Sequence, residues 1–288
     1  MLKDYKYDGS KIFEISRVST DETSLESDRE KAEAKMAKNF EKIEELQRRL
    51  YAEKREGLIL LFQAMDAAGK DGTIAAVLSC LNPHGVSEAA FKSPSALELS
   101  HDYFWRIEPH TPSKGEITIF NRSHYEKVLV ERVKGYYKDP PFAARIDPET
   151  ILEYRYEDIV NYEKYLWHNS IRIVKFFLHV SKEEQGRRIL SRLKEPEKNW
   201  KFAASDFEER KNWDAYQEAF EIAINKTSTK ESPWYVVPAD HKWYMRYVVS
   251  EIILQTLEDM DPRYPEVTKE RLEQFAQYKE QLEKELGK

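Results

Sequence analysis

The stretch LILLFQAMDAAGKDGT, residues 58–73, constrains this chain more than any other. Residues 58–63 form a short apolar run that reads as a strand buried on both faces. A loop follows, and residues up to about 81 read as a helix. Strand, loop and helix in that order aim backbone N–H groups and the positive end of the helix dipole at an anion. The stretch approaches the phosphate loop G-x-x-x-x-G-K-[ST] but departs from it twice. Ala64 stands at the first glycine, and Asp71 replaces the hydroxyl residue after Lys70. The candidate phosphate binders are Ala67, Ala68, Gly69, Lys70, Asp71, Gly72 and Thr73. Gly69 lets the backbone approach closely, Lys70 adds a point charge, and Gly72 keeps the next turn slim. Asp66 lies inside the loop, where a carboxylate repels phosphate unless a cation stands between them. It therefore reads as a ligand to Mg²⁺, a hard cation that favours oxygen; a turn-stabilising aspartate is the alternative.

The surrounding pattern is α/β. Residues 1–23 lack a period and suit an extended arm wrapped on the domain. Residues 24–57 are rich in helix formers, with Met36, Phe40, Ile43, Leu46 and Leu50 on one buried face. Further strands are expected at 86–91, 116–123, 171–180 and 234–240, with helices at 124–133, 148–169 and 243–260. Strands alternating with helices predict a mainly parallel sheet covered on both faces. Residues 181–232 are too many for one crossover helix and predict a helical excursion over the sheet. The tail, about 266–286, reads as a polar helix with the narrow apolar stripe Leu272, Phe275, Tyr278 and Leu282. That stripe suits docking on its own domain or contact with another subunit. The expected organisation is one domain: arm and helix 1–57, core 58–180 and 233–260, lid 181–232, and the C-terminal helix.

Two other segments carry charge in a pattern. In IFNRSHYEKVLVERV, Asn121 stands where strand-ending acids often occur in phosphate-transferring α/β proteins. Arg122 follows where the chain leaves the sheet, and its fork suits bidentate phosphate binding. His124 is read either as a nucleotide-positioning or as a packing residue, and Glu126 as a nucleotide contact or a solvated helix face. In the excursion, Arg188 and Arg192 share a helical face at i,i+4 spacing, with Arg187, Lys194, Lys198 and Lys201 nearby. Arginines on a flap above a phosphate loop suit phosphoryl transfer, because they cover charge on the transferred group. A solvated helix with local ion pairs is the alternative.

Composition sets limits. The chain has 288 residues and a formal net charge of -6, a balance that argues against general nucleic-acid binding. Cys80 is the single cysteine, so no internal disulfide forms, which fits a reducing compartment. The start has no apolar signal core, and no apolar run is long enough to span a bilayer. A soluble cytoplasmic protein with no membrane partner is expected.

DAAGKDGT, IFNRSHYEKVLVERV, EPEKNWKF, KNWDAYQEAF and PWYVVPADHKWY together resemble the second family of polyphosphate kinases, the polyphosphate:nucleotide phosphotransferases. The resemblance spans about residues 58–247 and implies a P-loop kinase-like, three-layer α/β/α fold with a helical lid. It implies phosphoryl transfer between inorganic polyphosphate and nucleotides with Mg²⁺, or Mn²⁺ in its place, in a cytoplasmic homodimer or homotetramer. By position, Asp66, Lys70 and Arg122 match the family's catalytic residues, with Asp66 on the metal. Arg188 and Arg192 match its basic lid residues; Lys201 is assigned with them to polyphosphate, and Asn121, Arg122, His124 and Glu126 are assigned to the nucleotide side. Many relatives have Gly at Ala64 and Asp at Asn121, so metal binding leans more on Asp66. The wording NRSHY resembles the subgroup that accepts AMP as well as ADP, with guanine nucleotides as further acceptors. Two rivals share some of these features. An ATP-dependent nucleoside-monophosphate kinase shares the fold but calls for a hydroxyl where Asp71 stands. A non-catalytic nucleotide-binding switch explains the loop but not the basic lid.

Overall fold

The computed structural model describes residues 2–138 and 142–287; residues 139–141 of the expected core lie outside this range, as do residues 1 and 288. The strands are β1 (Lys6–Tyr7), β2 (Gly57–Ala64), β3 (Val86–Ala90), β4 (Ile117–Asn121), β5 (Ile171–His179) and β6 (Trp234–Pro238). The helices begin with α1 (Leu2–Tyr5), α2 (Arg29–Glu53), α3 (Lys70–Leu78), α4 (Ala96–Leu99), α5 (Val130–Lys134) and α6 (Ile151–His168). They continue with α7 (Lys182–Lys194), α8 (Ala204–Glu209), α9 (Trp213–Thr227), α10 (Lys242–Met260) and α11 (Lys269–Glu285). The sheet order is β1-β6-β5-β2-β4-β3, parallel throughout except for β1. Packing of α2 on α10, and of α10 on α3 and β6, forms one helical group; α6 with β5 and α9 forms another.

Local chemistry sets these elements. Asp28 caps α2 by accepting from Lys31 N at 3.2 Å, and Lys54 closes it in a left-handed turn. Ile43 and Leu50 are buried on its inner face, with Met36, Phe40 and Leu46 packed partly against the core. The same face hides two amides that the apolar pattern did not reveal. Asn39 Nδ2 donates to Ser250 Oγ (3.1 Å) and Glu251 Oε1 (2.7 Å), while Gln47 Nε2 reaches His84 O at 3.0 Å. β2 is buried along its length, apart from Ala64, between β4 and β5.

Three expectations change. The N-terminal arm does wrap the domain, but it also adds the antiparallel edge strand β1, fixed by buried Tyr5, Tyr7 and Phe13. The expected helix at 124–133 is two pieces, a 3₁₀ turn His124–Lys127 and then α5, because Leu129 leaves helical geometry (φ -103°, ψ -81°). Every residue of α11 is exposed, so its stripe does not dock on its own domain. The excursion 181–232 is helical, carrying α7, α8 and α9. No helix among the described residues is long and apolar enough to cross a membrane.

A charged pair lies in the core. Lys175 of β5 is fully buried and donates to Glu163 Oε2 (2.6 Å), Tyr125 Oη (3.0 Å) and Thr227 O (2.8 Å). Those contacts use all three ammonium protons. Burial pushes the Glu163 carboxyl up, but Lys175 and His124 together outweigh it and hold the group below its ordinary range. Lys175→Met alone strands a buried carboxylate and is expected to cost about 3–5 kcal/mol in urea unfolding. The double variant with Glu163→Gln should recover most of that loss. A double variant whose loss equals the sum of the two single losses would show that the pair is not coupled.

Candidate active site

The carboxyl ends of β2 and β4 lie side by side, with Phe62 in register with Asn121. Ligands of open parallel sheets bind along this edge. The chain leaves β2, passes through Met65–Ala68 and enters α3 with Gly69 at its N-cap in a left-handed conformation (φ 104°). A Cβ there would meet the flexible end of Met245 at 3.1 Å, and the left-handed φ is what favours glycine. Ala67 (φ 60°) and Arg122 (φ 65°) also hold left-handed backbones, a strained state for residues with a Cβ. Arg122 is pinned in it by its N–H, which donates to Phe62 O at 3.1 Å.

Asp66 and Arg122 come together: Arg122 Nη2 donates to Asp66 Oδ1 at 2.9 Å and Nη1 to Glu126 Oε2 at 3.3 Å. Burial pushes the Glu126 carboxyl up, and Arg122 opposes it. In the orientation that satisfies both its ends, the Gln63 amide donates to Glu126 Oε1 at 3.0 Å. Lys70 Nζ donates to Asn121 Oδ1, and Asn121 Nδ2 donates to Asp71 Oδ1 (3.2 Å) and Glu88 Oε1 (3.0 Å). This arrangement accounts for the neutral residue at 121. An aspartate there would face Asp71 and Glu88 with no proton to share, whereas an amide accepts from the lysine and donates to both acids. Burial pushes the Asp71 carboxyl up, but Lys70 and Asn121 outweigh it and hold it below its usual range. Burial lowers the Lys70 pKa, with Asp71 opposing.

The excursion meets the expectations unevenly. Arg192 Nη1 pairs with Asp206 Oδ2 at 2.6 Å. Burial and the nearby Asp66 raise the Asp206 carboxyl, while Arg192 and Arg122 pull it down, which brings α8 into the field of the loop. Lys201 is exposed, its Nζ 5.0 Å from the Trp200 ring centroid. Arg188 does not lie open to a polyphosphate chain. It is 8 % exposed, and its donors are taken by Glu184 Oε1 and by the carbonyls of Ala67, Ala68, Ala239 and Asp240. A guanidinium has five N–H donors, so none is left for phosphate. His124 is likewise corrected as a nucleotide contact: it is buried against Phe104, Tyr125 and Tyr162, and burial lowers its pKa.

Other side chains here escaped the sequence reading. A Cβ at Gly72 would stand 3.0 Å from Arg246 Nη2, so Gly72 makes room for a guanidinium. Lys242 lies one turn before Arg246 on α10, and burial with the nearby cations Arg188 and Lys198 lowers its pKa. Neither has an ion pair among the described residues. Their signal was present in HKWYMR, two cations at i,i+4 just after a strand. Tyr216 of α9 donates to Glu209 Oε2 at 2.7 Å and lies in the field of Glu126 and Asp66.

The Lys70 shift gives a pH dependence. The free protein disfavours the charged lysine, so Lys70 loses its proton at lower pH than an ordinary lysine, and anion affinity falls as pH rises through that point. Calorimetric titration with tripolyphosphate should show an alkaline loss that begins below the ordinary lysine range. Lys70→Arg should remove that component; an unchanged profile would mean that Lys70 does not face the anion.

With this geometry in place, comparison with known proteins is specific. The profile of the polyphosphate kinase 2 (PPK2) family matches residues 26–265. An ADP-polyphosphate phosphotransferase of Rhodopseudomonas palustris is 47% identical over 244 residues, 84% of each chain. An AMP/ADP-polyphosphate phosphotransferase of Meiothermus ruber is 44% identical over 266 residues, 92% of this chain and 96% of that one. The crystal structure of polyphosphate kinase 2 from Arthrobacter aurescens superposes with a TM-score of 0.88 at 35% identity, covering 96% of both chains. A buried strand feeding a phosphate loop, an acid and an arginine facing each other across two strand ends, and these likenesses agree: the chain belongs to the polyphosphate kinase 2 family.

Proposed function

We propose that this chain transfers a phosphoryl group between inorganic polyphosphate and AMP or ADP, giving ADP or ATP, in a reversible reaction. The observation that carries this reading is Lys70, Asp66 and Arg122 meeting at the ends of β2 and β4 in a chain so like the Meiothermus ruber enzyme. Guanine nucleotides are further acceptors, in line with a GDP-polyphosphate phosphotransferase of Pseudomonas aeruginosa, 36% identical over 185 residues. In this reading Asp66, Lys70 and Arg122 are catalytic, residues 67–73 with Arg192 and Lys201 hold phosphates, and Asn121 and Glu126 border the nucleotide. Residues 181–232 act as a lid on a single domain. Lys242 and Arg246 extend the cationic lining from α10.

The family's kinase chemistry calls for a divalent cation. Among the described residues no group of three or more His, Cys, Asp or Glu side chains gathers to hold one. Asp66 and the nearby Asp206 nevertheless fit Mg²⁺, or Mn²⁺ in its place, because such ions take one or two carboxylates and complete their shell with phosphate oxygens and water. When bound, the cation neutralises charge on the phosphate oxygens. Asp66 orients that charge, Lys70 and the loop N–H groups hold the transferring phosphate, and Arg122 turns from Asp66 toward phosphate oxygens. The attacking atom is a terminal phosphate oxygen of the nucleotide, already largely ionised near neutral pH, so no strong base is needed. Catalysis is then positioning and charge neutralisation.

One assay separates this reading from its rivals: AMP or ADP with Mg²⁺ and either polyphosphate or ATP, with nucleotides followed by chromatography. Turnover with polyphosphate is expected. Turnover with AMP and ATP alone would make the chain a monophosphate kinase, and none with either donor would make it a switch. In the same assay Asp66→Asn should lose on the order of a hundredfold or more in kcat while keeping its melting temperature.

Assembly belongs to the same proposal. The stripe of Leu272, Phe275, Tyr278 and Leu282 on α11 is 47–60% exposed, and we assign it to a second copy of this chain in a dimer or tetramer. Light scattering of a chain ended after Asp261 should give a smaller assembly than the full chain. An unchanged mass would move the contact elsewhere.

A further inference from the structure

Two buried side chains of α7 grip the phosphate loop from behind, at successive peptide groups. Gln185, 1 % exposed, donates through Nε2 to Asp66 O at 3.0 Å, and its Oε1 accepts from Arg210 Nη1 at 2.8 Å. Arg188, three residues on, donates through Nη1 to Ala67 O (3.3 Å) and Ala68 O. Its Nη2 donates to Ala239 O (2.7 Å) and Asp240 O (3.0 Å), at the end of β6. That anchor is itself fixed: Asp240 Oδ1 accepts from Ser181 N at 2.8 Å and Oδ2 from Thr20 Oγ1 at 2.9 Å.

In a trans peptide the C=O and N–H point in opposite directions. Holding the carbonyls of Asp66, Ala67 and Ala68 toward α7 therefore turns the N–H groups of Ala67, Ala68 and Gly69 the other way. The Ala68 N–H closes a turn on Met65 O (3.1 Å), while those of Ala67 and Gly69 have no backbone acceptor among the described residues and are turned away from α7 by the same peptide geometry. Left to relax, Ala67 would leave its left-handed backbone, and a carbonyl dipole would swing toward the phosphates it must not meet. Burying a guanidinium is expensive, and an apolar side chain would fill the same space at lower cost. The placement makes sense if carbonyl orientation is what it secures.

We infer that Gln185 and Arg188 are positioning residues that hold the loop carbonyls averted, so that the loop binds phosphate without first reorganising. This rests on the reading of residues 64–73 as the phosphate loop. It gives Arg188 a role that acts through the backbone, with no contact to substrate.

The test uses the full chain and three variants, Arg188→Lys, Arg188→Ala and Gln185→Met. Each is measured for melting temperature, for tripolyphosphate binding by calorimetry, and for kcat and KM with polyphosphate. Arg188→Lys keeps the charge but has too few donors for the carbonyls, and should weaken tripolyphosphate binding and lower kcat by about tenfold each per folded molecule. Gln185→Met should show the same losses to a smaller degree. Millimolar guanidinium should restore part of the activity of Arg188→Ala, and none to Asp66→Asn. Wild-type binding and kcat in folded Arg188→Lys would overturn the inference, as would losses that follow melting temperature alone with no rescue. If the wild type binds tripolyphosphate but does not use polyphosphate, the proposed reaction fails and the binding measurements still decide the clamp. A wild type that binds no tripolyphosphate overturns both.

Discussion

The site depends on β2 being closed off from water. A strand flanked by β4 and β5 and covered on both faces satisfies its backbone groups within the sheet, so its peptide dipoles are free to act only where the sheet ends. That end is where the chain turns through Met65–Ala68 and restarts as α3, whose first N–H groups have no partner within the helix. The phosphate loop is thus a boundary effect of the sheet. The neighbouring end of β4 puts Asn121 and Arg122 at the same level. Depth in the sheet, more than any one side chain, brings residues far apart in sequence into one patch.

Within that patch the charges balance one another before any substrate arrives. Arg122 bridges Asp66 and Glu126, Asn121 links Lys70 to Asp71 and Glu88, and Arg192 holds Asp206. Isolated buried charges would be costly, and each pairing lowers that cost. An incoming phosphate with its counter-cation brings the same two kinds of charge. It can take over one side of each pairing while the cation takes the other, so the exchange leaves few groups unpaired.

Much of the fold could be read from the sequence because apolar runs and glycines report local geometry. Residues 58–63, 171–180 and 234–240 were visible as strands by composition alone, and the loop by Gly69 and Lys70. What escaped depended on distant partners. β1 is two residues long and exists because β6 offers an open edge. The break falls at Leu129, a buried residue of ordinary helix propensity, so nothing in the local sequence marks it. In the candidate site, residue types were legible but their directions were not. Arg188 and Arg192 look alike at i,i+4, yet one bonds the loop carbonyls and the end of β6 while the other pairs with Asp206. His124 follows a motif residue yet turns into the core. Arg246 was passed over because its place just after a strand gives the sheet edge but not which face of α10 turns toward Gly72.

The pairing of β1 with β6 has a consequence for the order of events as the chain is made. Lys6 lies opposite Tyr235, so the edge joins segments separated by most of the polypeptide. As the ribosome releases β1, its partner has not been translated, and Phe13, buried in the finished molecule, has no surface to cover. The arm must stay loose while β2, β4 and β5 assemble, and it can dock only after Trp234 and Tyr235 emerge. Such non-local closure is slow and comes late. Sealing the sheet edge is therefore among the last acts of folding, and a nascent chain stalled before β6 would expose both the strand edge and the aromatic side chains that the arm later tucks away.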